Sequence, residues 1–145
     1  MSENGPSAPL TPLLNAAKKA SKHAYAPYSH FKVGAAVETT DGTVITGVNV
    51  ENASYGLTHC AERTALFSAI AQGYTGQLKA IAVWASDTKH QYDQPLEGAV
   101  TPCGACRQVM TELLPPNATV QFIDPKTGTV THTTPNELLP SSFAL

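Results

Sequence analysis

Two short fragments hold every cysteine of the chain: His59-Cys60-Ala61-Glu62-Arg63 and Pro102-Cys103-Gly104-Ala105-Cys106-Arg107-Gln108. Thiolate is a strong zinc ligand, and a catalytic zinc site keeps three protein ligands with a fourth position for water. Cys103 and Cys106 stand three apart, so at the start of a helix both sulfurs lie on one face. Pro102 suits the first turn of that helix, whose N-terminal dipole favours the thiolate form. Cys60 brings a third thiolate. Glu62 adds a carboxylate that need not bind metal and can serve as base and acid in turn. Two residues along a helix is a rotation of roughly 200°, so Cys60 and Glu62 converge only if Cys60 projects from the helix tip. Arg63, at i+3, shares the face of Cys60. A guanidinium bonded to the sulfurs withdraws the negative charge that three thiolates bring to a metal. Arg107 is a second candidate for that role.

Other readings use the same cysteines. A Cys-x-x-Cys pair after proline at a helix start is also the redox-dithiol arrangement, which leaves Cys60 and Glu62 without a part. A closed structural zinc site needs a fourth ligand, and His59 is the nearest offer. Adjacent residues rarely both face one tetrahedral ion, so His59 reads as a loop or cap residue.

These groups need a scaffold, and the chain has the length of one. Its 145 residues, 42% hydrophobic and 14% charged, suit a compact globule of one domain over residues 11–145. Residues 1–10, polar and rich in Ser, Pro, Asn and Gly, read as a flexible tail and not a signal peptide. The net charge of −2 gives no footprint for nucleic acid or an anionic membrane, and suits a small neutral ligand. No apolar run approaches the ~20 residues of a membrane span. An odd cysteine count, clustered for metal binding, points to a reducing, cytoplasmic compartment.

Thr11-Pro12 predicts a helix start, with Leu13, Leu14, Ala17, Ala20 and Ala24 at helical spacing and Pro27 as its end. Strands are predicted over 32–38 and 43–48, around an Asp41-Gly42 hairpin signal. Helical spacing over 60–72 stops at Gly73, 78–84 reads as a buried strand, and 104–114 reads as a helix closed by Pro115-Pro116. Strands follow over 119–123 and 129–132, then a last helical turn over 135–139. The stretch 86–100 is long and polar, and is expected as an exposed loop or insertion. The order α-β-β-α-β-α-β-β contains two β-α-β crossovers. It predicts an α/β fold with a mixed sheet covered by helices, the crossovers supplying parallel pairs and the hairpin an antiparallel one.

Asn49 and Glu51 end a predicted strand at i and i+2, where side chains point to one side. An amide and a carboxylate together can clamp a sugar hydroxyl, one donating and one accepting.

The metal fragments match the pattern of zinc-dependent base deaminases, Cys or His before x-Glu and then Pro-Cys-x-x-Cys, with a glutamate that shuttles protons. The chain resembles, more narrowly, the free-nucleoside cytidine deaminases of the small, homotetrameric, three-cysteine type. Three further segments carry that resemblance: Ala26-Pro27-Tyr28-Ser29-His30-Phe31-Lys32-Val33-Gly34-Ala35-Ala36, Gly47-Val48-Asn49-Val50-Glu51-Asn52-Ala53-Ser54-Tyr55, and Glu137-Leu138-Leu139-Pro140 with Phe143. It implies a three-layer α-β-α fold with about five strands and one zinc per chain, held by Cys60, Cys103 and Cys106. It implies hydrolytic deamination of cytidine and deoxycytidine, in pyrimidine salvage, with Glu62 as proton shuttle. Asn49 and Glu51 would then hold the sugar's 3′-hydroxyl and Phe31 would pack on the pyrimidine. The Ala61 amide would meet the base carbonyl, and backbone carbonyls near Thr101 and Cys103 the leaving amino group. Tyr55 and Phe143 would complete a neighbouring subunit's pocket in a homotetramer. Blasticidin-S deaminases share the zinc pattern and lack the Asn-x-Glu-Asn segment, while polynucleotide-editing deaminases use histidine as first ligand and carry basic surfaces. The stretch 86–100 is longer than the family's link before its Ser/Thr-Pro-Cys motif, which here begins at Thr101.

Overall fold

The computed structural model of the chain describes residues 9–86 and 97–145. Helix α1 (Pro12–Ser21) starts where its capping chemistry places it: the Thr11 hydroxyl accepts from the Leu14 amide at 3.1 Å, and Pro12 takes the first turn. The helix stops well before Pro27. Beyond Ser21 the backbone is taken by another partner, for the Tyr25 amide donates to the Asn49 carbonyl at 3.0 Å and the Tyr25 carbonyl accepts from Glu51 at 2.9 Å. Strand-type pairing thus takes over at Tyr25, after a turn in which the Ala24 amide donates to the Ser21 carbonyl at 3.1 Å.

Strands β1 (Lys32–Thr39) and β2 (Val44–Val48) form the hairpin, with Gly34 opposite Val48 and Glu38 opposite Val44. Helix α2 (Ala61–Ala71) follows, then β3 (Leu78–Ser86), α3 (Gly104–Leu113), β4 (Thr119–Ile123), β5 (Val130–Thr133) and the short α4 (Pro135–Leu138). The sheet order is β2-β1-β3-β4-β5. Of the two crossovers, only the second joins hydrogen-bonded parallel neighbours, β3 and β4. The first carries the chain from β2 past β1, which pairs antiparallel with both, so β2 and β3 run parallel but apart. The inner edge of β1 is the free one once β2 has taken the other.

Alternation along the central strands builds three layers. Ala36, Ala80, Ala82, Trp84 and Ile123 pack with Leu13, Leu14 and Ala17 of α1. Val33, Val37, Ile81, Val83 and Val120 pack with Ala65, Leu66 and Ala69 of α2 and Cys106 and Met110 of α3 on the other face. Two glycines let helices approach the sheet closely: a Cβ on Gly34 would lie 2.1 Å from the Ala17 carbonyl, and one on Gly47 would lie 2.3 Å from the Ala65 amide.

The end of the 86–100 stretch is not an exposed loop. Residues 87–96 lie outside the described residues, but Gly98 and Ala99 are buried. The Ala85 amide donates to Gly98 at 3.2 Å and the Val100 amide to Ile123 at 3.1 Å, so this segment is wedged between the carboxyl ends of β3 and β4. Gly98 fits because it adopts φ +80° and because any Cβ there would sit 2.4 Å from the Trp84 ring. The wedge delivers Thr101 to Cys103 to the end of the sheet where α2 and α3 begin, the crevice in which open α/β sheets bind ligands. Among the described residues no helix is long and apolar enough to cross a membrane.

Candidate active site

Cys60 and Cys103 are the N-cap residues of α2 and α3, in extended backbone at φ −74°, ψ 154° and φ −70°, ψ 167°. Cys60 therefore occupies the helix tip that convergence with Glu62 requires. Neither sulfur caps its own helix, so both remain available to another partner. Cys106 lies in the first turn of α3 and is buried. The three sulfurs lie within 4.8 Å of one another, with Cys60 and Cys103 3.8 Å apart. A tetrahedral zinc at its usual 2.3 Å from sulfur separates its ligands by about 3.8 Å, so the donor set fits zinc in chemistry and spacing. His59 does not join them. Its backbone pairs with Val50 on both sides and its ring stands edge-on to Phe67 at 6.2 Å.

Burial and charge divide the protons of the metal-free site. The hydrogen bond with Cys106 is the largest cause that pulls the Cys60 thiol down to about 5, burial opposes it, and the Arg63 guanidinium assists. Cys106, its partner in that bond, is pushed up and keeps its proton. Arg63 reaches the sulfur as the i+3 spacing allows: its Nη2 donates to Cys60 Sγ at 3.2 Å, and this bond holds the guanidinium firmly charged. Arg63 Nε is buried without a partner among the described residues. Arg107 does something else. Its Nε donates to the Pro102 carbonyl at 2.7 Å and its Nη1 to the Leu138 carbonyl at 3.0 Å, so its role beside sulfur is replaced by backbone anchoring.

Glu62 is 4% exposed, and burial lifts its carboxyl to about 7, against the pull of its own backbone amide. It lines a cavity of about 190 Å³ with Cys60, Cys103, Ala61, Thr101, Phe31 and Asn49. Helix tips supply the acid and the sulfurs, β1 begins beside Phe31, and the wedge brings Thr101.

Asn49 lines that cavity, but Glu51 does not. The Asn49 amide is engaged on both ends, accepting from Val33 at 2.8 Å and donating to the Phe31 carbonyl at 2.7 Å. One further N–H and one lone pair remain for a ligand. Glu51 faces a neighbouring cavity of about 410 Å³ with Tyr28, Ser29, Asn52, Tyr55 and Thr58, and Thr58 borders both. Its carboxylate accepts from the Tyr28 amide at 3.0 Å, from the Ser29 amide at 3.1 Å and from the Ser29 hydroxyl. Burial works against its charge, but these bonds outweigh it and hold the carboxyl below its ordinary value. The next residue, His30, sits at φ 59°, a left-handed conformation uncommon for a non-glycine residue. Ser29, Thr58 and this turn carry no signal in composition; Ser29 was legible only as part of a motif. Tyr55 is 82% exposed and Phe143 70%, and Phe143 lies outside both cavities.

Three thiols, a buried carboxyl and an adjoining cavity that holds the Glu51 carboxylate, on a three-layer α-β-α scaffold, define the class of zinc-dependent base deaminases. Residues 10–121 match the model of the cytidine and deoxycytidylate deaminase zinc-binding region, and the chain belongs to that family. It is 50% identical over 131 residues to a cytidine deaminase of Halalkalibacterium halodurans, covering 90% of this chain and 91% of that one. A cytidine deaminase of Sporosarcina psychrophila is 46% identical over 132 residues, covering 91% of this chain and 89% of its own. The crystal structure of cytidine deaminase from Burkholderia pseudomallei superposes with a TM-score of 0.78 at 52% identity, covering 92% of this chain and all of that one.

Proposed function

We propose that this chain hydrolyses cytidine and deoxycytidine to uridine and deoxyuridine, releasing ammonia. The observation that carries the reading is the placement of a buried, neutral-prone Glu62 carboxyl in one cavity with Cys60, Cys103 and the Asn49 amide. Cys60, Cys103 and Cys106 would hold the zinc, which when bound would supply a Lewis acid to lower the pKa of a water beside Glu62. Glu62 takes the proton from the attacking water and delivers it to ring nitrogen 3, which makes carbon 4 electrophilic. The hydroxide left by that transfer adds to carbon 4, Glu62 passes the remaining proton of that hydroxyl to the amino group, and the carbon–nitrogen bond breaks to release ammonia and leave a carbonyl at carbon 4. Burial, the largest cause that lifts this carboxyl in the metal-free protein, brings its acid form within reach near neutrality, as a group that serves as base and acid in turn requires.

Phe31 supplies an apolar wall for the pyrimidine, and the free N–H and lone pair of Asn49 remain for the sugar. Glu51, in the adjoining cavity, serves the same sugar from the far side of Thr58. The Ala61 amide, at the start of α2, is the donor for the base carbonyl, and the carbonyls near Thr101 and Cys103 accept from the amino group. Tyr55 and Phe143, exposed on one chain, find their place against a second copy, and the assembly is a homotetramer. The compartment is the reducing cytoplasm, where three thiols stay free, and the role is pyrimidine salvage. A direct test runs cytidine beside free cytosine, blasticidin S and a single-stranded oligonucleotide and follows ammonia. Release from cytidine alone is expected. Release from blasticidin S in preference to cytidine would overturn the nucleoside reading.

A further inference from the structure

Arg107 follows the last cysteine, and its side chain holds the carbonyl just before Cys103. Its side-chain Nε donates to the Pro102 carbonyl at 2.7 Å and its backbone amide to the Cys103 carbonyl at 2.9 Å. The other edge of the guanidinium holds the Leu138 carbonyl at 3.0 Å, where α4 ends. The next residue, Gln108, donates from Nε2 to the Phe143 carbonyl at 3.1 Å. Two adjacent side chains of α3 therefore hold the C-terminal segment at both its ends. The planar guanidinium meets Pro102 and Leu138 from donors fixed on two edges, whereas a lysine ammonium is a point charge on a flexible stem.

We infer that Arg107 is a positioning residue that latches the C-terminal segment onto the turn carrying Cys103. The same guanidinium then orders a metal-ligating turn and sets where Phe143 is presented. Loss of one loosens the other.

The test uses the full-length, zinc-loaded chain as wild type, Arg107→Gln, Arg107→Lys and Gln108→Ala. Three quantities are read: hydrogen exchange at the Leu138 and Leu139 amides, which bond to Thr134 and Pro135, zinc release to a chromogenic chelator, and kcat and KM for cytidine. Arg107→Gln should speed that exchange and zinc release roughly tenfold or more, as loss of charged hydrogen bonds implies. Its KM should rise by a larger factor than its kcat falls. Arg107→Lys should not restore exchange. Gln108→Ala, which loses only the Phe143 tie, should raise KM with zinc release at the wild-type rate. Wild-type exchange in Arg107→Gln would overturn the latch. So would full rescue by lysine, which would make the role one of charge on the thiolates. Should Arg107→Gln fail to fold, the lysine and Gln108→Ala arms decide alone. The KM arm rests on the nucleoside reading, but exchange and zinc release do not. Inactivity on cytidine with the expected exchange would count against that reading and leave the latch standing.

Discussion

Glu62 and Arg63 are neighbours with opposite tasks, and each leaves a distinct pH signature. In the metal-free protein burial raises the Glu62 carboxyl from its ordinary 4.5 to about 7. The folded state then keeps a proton that the unfolded chain releases. This group's contribution is fully present below pH 4.5 and is lost as the pH rises through about 7. Glu62→Gln is neutral at every pH and escapes that loss. Zinc-stripped Glu62→Gln should therefore gain on zinc-stripped wild type by about 3 kcal/mol across that range. Denaturant titrations at pH 4.5 and 7 check this, and a gap independent of pH would contradict it. Arg63 acts through Cys60 Sγ at 3.2 Å. Arg63→Gln removes one of the groups that hold that thiol down, so zinc should be retained only at higher pH. At neutral pH the affinity should fall about 10- to 100-fold, as for other groups that support metal ligands. A competition titration with a chelator reads both the shift and the fall.

At the scale of elements, the site depends on how closely helices lie on the sheet. Gly47 faces α2, and an added methyl would strike backbone at Ala65 and Ala61, next to Cys60 and Glu62. Gly34 faces α1, on the opposite side of the sheet, where a methyl would strike Ala17 and Ser21. Both Gly→Ala changes should cost roughly 1–3 kcal/mol or more, because backbone must move. Only Gly47→Ala should also weaken zinc binding by the folded protein, since it alone displaces the tip of α2. Denaturation paired with zinc titration separates the two. What was legible in the sequence follows the same division. The start of α1 was readable because a cap is local chemistry, Thr11-Pro12 beginning it, while α2 and α3 were readable from helical spacing, with Cys60 and Cys103 just before them. The end of α1 was not, because Tyr25 pairs with backbone at Asn49 and Glu51, some two dozen residues away. The insertion of β1 between β2 and β3, and the burial of Gly98 and Ala99 between β3 and β4, are likewise long-range pairings. The cysteines and Glu62 were found by spacing. That Asn49 and Glu51 face different cavities was hidden, since i and i+2 sets a side only while the strand stays regular and β2 ends at Val48.

The whole molecule exposes apolar groups that one chain does not cover. Tyr25 and Val50 are bridged neighbours, Val50 bridges His59, and the His59 ring meets Phe67; these apolar side chains are 56%, 43% and 44% exposed in the order Tyr25, Val50, Phe67. Leu57, 63% exposed, and Tyr55 stand on the adjoining 3-10 turn (Tyr55–Leu57). This exposed apolar area is where the proposed assembly would bury surface. Sedimentation should give four chains per particle, and Leu57→Glu should shift the mass downward and raise KM together. A monomeric wild type with full activity would refute completion of the site by a neighbour.

Everything proposed for the reaction turns on Glu62 as the group that moves protons beside a zinc held by Cys60, Cys103 and Cys106. The most direct measurement is cytidine turnover by Glu62→Gln beside wild type, each carrying about one zinc per chain. Loss of at least about 10²- to 10⁴-fold in kcat, with metal content unchanged, is the predicted result. Turnover near that of wild type in the zinc-loaded variant would contradict it.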